Sequence, residues 1–192
     1  MELLRSLIFV PGNRANMLER ARSFNADIIM VDLEDSVPLA EKVNARELAR
    51  EWVPRLRNEG KRVMVRVNSL NTGLPRDELD AVISPALNGI SIGKAGSAWD
   101  LQQVDRIIGP LESAAGLEPG SIKIIPWIES ARAIMNVQQM AVASPRHHRN
   151  CLWRRGLHQR HGGAAYRQRP GSPLSPGYGS HSGPGGWRGF SG

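Results

Sequence analysis

Cysteine is nearly absent from this sequence, and so are long apolar runs. One cysteine in 192 residues excludes an intramolecular disulfide framework and is typical of a reducing compartment. No stretch approaches the roughly 20 apolar residues that a helix needs to span a bilayer. The short apolar run at the start lacks the charged region and cleavage site of a signal peptide. We therefore expect a cytoplasmic protein that does not interact with a membrane.

Acidic residues and lysine are missing from residues 147–192, a segment that holds seven arginines and all five histidines. Those seven arginines equal the formal net charge of +7, so residues 1–146 are neutral overall. The basic character belongs to this segment alone, and we expect no nucleic-acid partner. Eleven glycines and four prolines without apolar periodicity predict that residues 147–192 form a disordered tail.

Short apolar runs alternate with helical patterns through residues 1–146. The predicted strands are 6–10, 27–31, 62–67, 89–92 and 122–128, and the predicted helices are 16–24, 42–58, 76–83, 98–114 and 131–143. Continuous apolar runs are typical of strands buried on both faces, and their alternation with helices predicts a parallel α/β sheet. A doubly wound sheet could be complete with five strands, whereas a (β/α)8 barrel needs eight. Periodicity alone leaves both architectures open.

Polar side chains follow three of the predicted strands. The carboxyl ends of parallel strands line the ligand site in α/β proteins, so these side chains are expected to share one rim. They are acids after the second and fifth strands and an arginine in the third: Asp32, Glu34, Asp35, Arg66 and Glu129. Acids together with a basic residue predict an anionic substrate handled with a divalent cation.

Four motifs in series connect this chain to a known family. They are FVPGNR at residues 9–14, DLEDSV at 32–37, VRVN at 65–68 and PWIES at 126–130. With these motifs, residues 5–146 resemble the citrate lyase β-subunit and malyl-CoA lyase family, of the HpcH/HpaI aldolase type. The resemblance implies that residues 1–146 form part of a (β/α)8 TIM barrel, with about five of its βα units.

The same resemblance implies a Mg²⁺-dependent carbon–carbon lyase. Its substrate would be a 3-hydroxyacyl-CoA such as citryl-CoA or malyl-CoA, formed from or cleaved to acetyl-CoA and a 2-oxoacid, and its family members would be homo-oligomers. Arg66 would hold the oxoacid carboxylate and Glu129 the metal, so both are candidate catalytic and substrate-binding residues. Glu34 and Asp35 would accept hydrogen bonds from metal-bound water.

Each of these residues also has a purely structural interpretation. Glu129 would be favoured by the dipole of the helix that follows it. Arg66 interrupts an apolar strand and needs a partner, which Glu34 or Asp35 would supply. Glu34 and Asp35 themselves would form a solvated acidic turn.

The family's second metal ligand, an aspartate in a Gly-x-Glu-Asp segment, is missing beyond Arg146. Codons exist for His147 onward that, read one base later, encode Ile-Ile-Gly-Ile-Ala-Phe-Gly-Gly-Glu-Asp-Phe, which contains the family's sixth strand and that aspartate. We therefore interpret residues 147–192 as an out-of-frame tail, and we expect little or no lyase activity from this chain. Five strands of a barrel would also leave its inner face uncovered, which predicts marginal stability.

Two other functions remain compatible with the residues. The first is a signalling module of the phosphoacceptor kind, which would bind Mg²⁺ through Asp32, Glu34 and Asp35. The second is a non-catalytic truncated protein whose basic tail binds an acidic partner.

Overall fold

The computed structural model describes residues 5–147 and the backbone of Cys151–Leu152. Six strands alternate with helices. The strands are β1 (Leu7–Pro11), β2 (Ile28–Asp32), β3 (Val63–Val67), β4 (Gly89–Ile92), β5 (Lys123–Ile128) and β6 (Cys151–Leu152). The helices are α1 (Ala15–Ala21), α2 (Lys42–Asn58), α3 (Pro75–Val82), α4 (Ala98–Ala114), α5 (Ala131–Met135) and α6 (Val137–Ala141). Single 3₁₀ turns cover Leu39–Glu41 and Leu70–Thr72.

The six strands form one parallel sheet whose spatial order is the same as their order in the chain. Doubly wound sheets reverse direction partway across, giving orders such as 3-2-1-4-5-6 or 2-1-3-4-5. A sheet that always adds the next strand on the same side has the topology of a (β/α) barrel. The strand order therefore decides between the two architectures, and the prediction of an incomplete TIM barrel is confirmed.

Side chains on the two faces of the sheet pack into separate cores. The larger core lies between the strands and the helices, and it includes the fully buried Ile29, Val31, Val65, Ile90 and Leu56. The smaller core lies on the opposite, inner face, as expected from the alternation of side chains along a strand. Its members are Ile28, Met30, Met64 and Ile125, with Leu7 and Phe9 packed against them.

The sheet curls around this inner core. The rings of Phe9 in β1 and Trp127 in β5 lie 5.5 Å apart although three strands separate β1 from β5. Met30, Met64 and Ile125 are no more than 3% exposed. The expectation of an uncovered inner face is therefore wrong for these residues, because curvature brings the inner side chains of distant strands into contact.

Most predicted elements agree with the structure to within a few residues. The bounds of α2, α4 and β4 are as predicted, and α4 begins with a capping box formed by Ser97 and Asp100. The predicted helix over residues 131–143 is instead two short helices that meet at Asn136. Asn136 donates a hydrogen bond from Nδ2 to the carbonyl oxygen of Gly96 at 2.8 Å, a contact with the loop after β4.

The segment around Arg146 packs against α4 and β5. Arg146 forms ion pairs with Asp105 and Glu112 of α4, and its carbonyl oxygen accepts a hydrogen bond from Ile124 at 2.9 Å. Beyond it, β6 pairs with Trp127 and Ile128, although disorder is predicted there. The predictions for residues 148–150 and 153–192 lie outside the described residues. Among the residues described, no helix combines the length and apolarity needed to cross a bilayer.

Candidate functional site

Asp32 and Arg66 lie side by side at the carboxyl ends of β2 and β3. The parallel register pairs them directly. Each comes two residues after a methionine of the inner core, Met30 or Met64, so both project toward the inside of the curled sheet. Arg66 donates from Nε to Asp32 Oδ1 at 2.7 Å and from Nη2 to Asp32 Oδ2 at 2.6 Å. This bidentate geometry is the strongest pairing of an arginine with a carboxylate.

The pair is charged although it is buried. The side chain of Asp32 is 1% exposed and that of Arg66 is 13% exposed. Burial opposes ionisation, but the hydrogen bonds and charge of Arg66 outweigh it and hold the pKa of Asp32 below its ordinary value. Burial also opposes the charge of Arg66, whose pKa Asp32 nevertheless raises. The guanidinium carbon lies 4.5 Å from the centre of the Phe9 ring, a cation–π contact that further fixes its orientation.

The third guanidinium nitrogen of Arg66 faces the acidic turn after β2. Arg66 Nη1 lies 3.3 Å from Glu34 Oε2 and 3.8 Å from Asp35 Oδ2. Lys94, in the loop after β4, contacts both acids, at 2.9 Å from Glu34 Oε1 and 3.0 Å from Asp35 Oδ1. Glu34 is 3% exposed, whereas the side chain of Asp35 is 60% exposed. The turn therefore holds the buried carboxylate of Glu34 between Arg66 and Lys94, whereas the carboxylate of Asp35 is open to solvent.

Local backbone geometry supports this arrangement. Glu34 lies against Gly93, where an added Cβ would be 2.6 Å from both of its carboxylate oxygens. Lys94 has a φ of 59°, which is uncommon for a residue with a side chain. Non-glycine residues in this region are strained, and such strain is concentrated at functional sites. Burial opposes the charge of Lys94, but its ion pairs with Glu34 and Asp35 raise its pKa.

Glu129 lies one residue beyond the end of β5 and is 5% exposed. The helix that follows is capped by Ser130, whose hydroxyl accepts a hydrogen bond from the amide of Ala133 at 3.1 Å. Arg66 and Glu129 are thus both at the carboxyl end of the sheet. Two residues before Glu129, Trp127 contacts Phe9, which also contacts Arg66.

A divalent cation would find only part of a ligand set in the described residues. Glu129 offers a carboxylate of the kind that Mg²⁺ prefers. No group of three potential ligands among histidine, cysteine, aspartate and glutamate occurs in residues 5–147. Residues 147–192 contain no acid in the sequence. The residues present therefore fit one protein ligand of the two that the resemblance implies.

The sequence interpretation found most of these side chains but missed one important contact. It names Glu34 or Asp35 as the structural partner of Arg66, whereas the bidentate partner is Asp32, with Glu34 second. A signal was available, because Asp32 and Arg66 are the polar residues at equivalent positions, two residues after Met30 and Met64. Lys94 is not among the residues that the sequence pattern assigns to the site, since a single lysine in a loop has many possible environments.

Strand order, curvature and a polar rim define a class, the enzymes and binding proteins built on (β/α) barrels with their sites at the carboxyl ends of the strands. The model of the HpcH/HpaI aldolase/citrate lyase family matches residues 5–149. The chain belongs to this family.

Relatives at the level of sequence and structure agree with that assignment. The chain is 37% identical over 146 residues to citrate lyase subunit beta of Haemophilus influenzae, covering 76% of this chain and 50% of that protein. It is also 37% identical over 146 residues to an L-malyl-CoA/beta-methylmalyl-CoA lyase of Cereibacter sphaeroides, covering 74% and 45%. The chain thus spans about half the length of these relatives.

A solved structure shares the fold. The citrate lyase beta subunit from M. tuberculosis, complexed with oxaloacetate and magnesium, superposes with a TM-score of 0.63 at 23% identity, covering 88% of this chain and 67% of that one. At this level of identity the likeness supports the fold, and the fold is the one that the strand order indicates.

Proposed function

We propose that this chain is the amino-terminal part of a Mg²⁺-dependent carbon–carbon lyase that acts on a 3-hydroxyacyl-CoA such as citryl-CoA or malyl-CoA. The products of cleavage are acetyl-CoA and a 2-oxoacid. The proposal rests on the position and orientation of Arg66. It is a buried, oriented guanidinium on the inner side of a barrel rim, in a chain that belongs to this family.

Arg66 would bind the carboxylate of the 2-oxoacid. Its Nε and Nη2 are occupied by Asp32, so a ligand would approach Nη1, which Glu34 Oε2 also faces at 3.3 Å. The nearest competitor for Nη1 besides Glu34 is Asp35, at 3.8 Å and with its side chain 60% exposed. An exposed carboxylate moves away at little cost, so an incoming carboxylate would displace Asp35 and keep Asp32 in place.

Glu129 would hold the metal ion. Bound Mg²⁺ supplies Lewis-acid polarisation of the carbonyl group whose α-carbon bond is formed or broken. The buried carboxylate of Glu34 and the exposed one of Asp35 would accept hydrogen bonds from water on the ion. Lys94 would hold both acids in place through its direct contacts with them.

The proposal includes the expectation that this chain turns over little or no substrate. One carboxylate binds Mg²⁺ less tightly than two, and the sequence beyond Arg146 offers no second acid. With codons that the genetic code permits for His147 onward, a one-base change of frame after the codon for Arg146 would give an acidic segment. It would also put an apolar run over the positions that β6 occupies.

The nucleotide sequence downstream of the Arg146 codon tests the change of frame. A comparison of two chains tests the activity. One is the chain as it stands and the other has the frame shifted by one base after that codon. Release of acetyl-CoA from malyl-CoA and citryl-CoA would be followed with and without Mg²⁺. We expect Mg²⁺-dependent cleavage by the shifted chain and none above background by the present one. Mg²⁺-dependent cleavage at equal rates by both would contradict the expected inactivity, and cleavage by neither would contradict the lyase proposal.

Binding of oxaloacetate in the presence of Mg²⁺ tests the role of Arg66 separately. Isothermal titration would compare the unchanged chain with Arg66→Gln. We expect the variant to bind at least about tenfold more weakly, the value of one charge-assisted hydrogen bond of about 1.5–3 kcal/mol. Arg22→Gln is the matched control, because Arg22 is an exposed arginine paired with the exposed acids Glu19 and Glu59. Equal affinities for Arg66→Gln and Arg22→Gln would exclude Arg66 from the oxoacid site.

The strand order disfavours the phosphoacceptor alternative. Such modules have the order 2-1-3-4-5, in which the first strand lies between the second and third. Here β2 lies between β1 and β3. The acids of the turn after β2 also already have Arg66 and Lys94 as partners.

A further inference from the structure

Three buried polar residues lie directly beneath the acidic turn after β2. Lys42 is the first residue of α2, Asn68 follows β3, and Glu78 belongs to α3. They are 8%, 6% and 0% exposed. Charged side chains are rarely this buried unless their interactions require it. None of the three has a part in the chemistry proposed above.

Lys42 binds the main chain of the turn. Its ammonium group donates to the carbonyl oxygens of Leu33 at 2.5 Å and Glu34 at 2.7 Å, and to Asn68 Oδ1 at 3.0 Å. An ammonium group has three protons, so these three bonds use its entire donor capacity. The carbonyl of Glu34 also accepts from the amide of Val37 at 3.1 Å.

Asn68 and Glu78 complete the network from the neighbouring strand and helix. Asn68 Nδ2 donates to the carbonyl oxygen of Leu33 at 2.8 Å and to Glu78 Oε1 at 2.5 Å. The backbone amide of Asn68 donates to Glu78 Oε2 at 2.8 Å. Both oxygens of Glu78 are therefore used, and the loops after β2 and β3 are tied to one another through Leu33.

Burial opposes the charged form of both Lys42 and Glu78. Burial lowers the pKa of Lys42 even though Glu78, Asp32 and Glu34 act to raise it. Burial also raises the pKa of Glu78, against the hydrogen bonds from Asn68. Lys42 and Glu78 are linked through Asn68, and buried charges of this kind contribute less to stability than apolar residues of the same size would. A fully satisfied buried network does, however, fix geometry closely.

We infer that Lys42, held by Asn68 and Glu78, is a positioning residue for the candidate site. By fixing the carbonyls of Leu33 and Glu34, it sets where the Glu34 carboxylate meets Arg66 and Lys94. The inference rests on the proposed function, since it assigns the network to the site that binds the oxoacid and the metal.

Amide hydrogen exchange and ligand binding on the full chain test this inference. Lys42→Met removes the ammonium group and deprives the buried Glu78 of a nearby positive charge, which could unfold the protein. The double variant Lys42→Met with Glu78→Gln removes both charges and so restores neutrality, but the carbonyls of the turn still lack their donor. Lys61→Met is the matched control, because Lys61 donates to a main-chain carbonyl, that of Phe24 at 2.9 Å, near the amino end of β3.

In the double variant we expect the amides of Glu34, Ser36 and Val37 to exchange about tenfold faster, as loss of a bond of about 1.4 kcal/mol implies. The amide of Ile124, bonded to Arg146 at the far end of β5, should exchange as in the unchanged chain. Affinity for oxaloacetate with Mg²⁺ should fall about tenfold by the same conversion. Lys61→Met should leave the turn amides and the affinity unchanged.

The two readouts separate this inference from the proposed function. If the unchanged chain does not bind oxaloacetate, the proposed function fails, and the exchange data still decide whether Lys42 fixes the turn. Turn amides that exchange at the unchanged rate in the double variant would overturn the inference. Exchange that becomes equally faster at Ile124 and in the turn would also overturn it, because the loosening would then not be local. An unaltered affinity for oxaloacetate in a variant whose turn amides exchange faster would overturn it as well.

Discussion

Replacing Asp32 by asparagine is the most direct perturbation of the candidate site. The change preserves size, but it replaces one of the two oxygens that accept from Arg66 with an NH2 group that can only donate. Asp32 also accepts hydrogen bonds from the amides of Glu34 at 2.9 Å and Ser36 at 3.2 Å. The variant therefore loosens the arginine and the acidic turn together.

The magnitude follows from burial. Removing one partner of a buried ion pair costs about 3–5 kcal/mol, because the other charge is left without compensation. Arg66 retains Glu34 at 3.3 Å, so we expect the lower end of that range, about 3 kcal/mol. For a protein of this size, that corresponds to a melting temperature lower by about 6–12 °C.

Urea unfolding followed by circular dichroism measures this loss. The midpoint should fall with an unchanged m-value, as expected when stability changes without a change in compactness. Asp77→Asn is the control, since Asp77 is an acid with its side chain 68% exposed and paired with Arg46, and its loss should cost under about 1 kcal/mol. A loss for Asp32→Asn no larger than for Asp77→Asn would refute the reasoning that Arg66 depends on Asp32.

The pH dependence of stability gives the same residue a second signature. The folded state depresses the pKa of Asp32, so its contribution is present above the pKa of the unfolded chain and is lost as pH falls through the folded value. The unchanged chain should therefore lose stability in acid more steeply than Asp32→Asn does. Urea midpoints measured from neutral pH downward should converge for the two proteins, and parallel curves would contradict the assigned pKa direction.

Three further substitutions test other features of the fold. Gly93→Ala should cost about 1–3 kcal/mol and weaken oxaloacetate binding, because its Cβ would meet the Glu34 carboxylate at 2.6 Å. Gly109→Ala in α4, where a Cβ meets only an arginine nitrogen at 3.9 Å, should be neutral or stabilising by up to about 1 kcal/mol. Arg146→Met should cost about 3–5 kcal/mol, since Glu112 is 1% exposed and would lose its cation. Thermal melts of all three check these expectations, and an Arg146→Met variant as stable as the unchanged chain would contradict the last.

Local patterns were sufficient to predict the elements of the fold. Apolar runs identified the strands, and a capping box at Ser97 marked the start of α4. The barrel topology was not accessible from periodicity, because strand order is a property of the assembled sheet, and only the family motifs indicated it. The break at Asn136 depends on a hydrogen bond to Gly96, 40 residues earlier in the chain, which no local pattern encodes.

The candidate site was predictable in its residues but not in its contacts. Arg66, Glu34 and Asp35 were identifiable as polar groups at strand ends. The bidentate partner of Arg66 required the register between β2 and β3. The roles of Lys42 and Glu78 required the packing of α2 and α3 beneath the turn, since a lysine and a glutamate in amphipathic helices ordinarily face solvent.

The strictly sequential strand order has a consequence for how the chain emerges from the ribosome. Each strand pairs with the one synthesised just before it, so every new βα unit can dock onto a surface that already exists. The pairings between neighbouring strands can therefore form in order from the amino terminus, whereas the contact between Phe9 and Trp127 must wait for β5. By the time the ribosome reaches the codon for Arg146, all five preceding strands have been synthesised, so a change of frame at that point would leave their sequence unaltered.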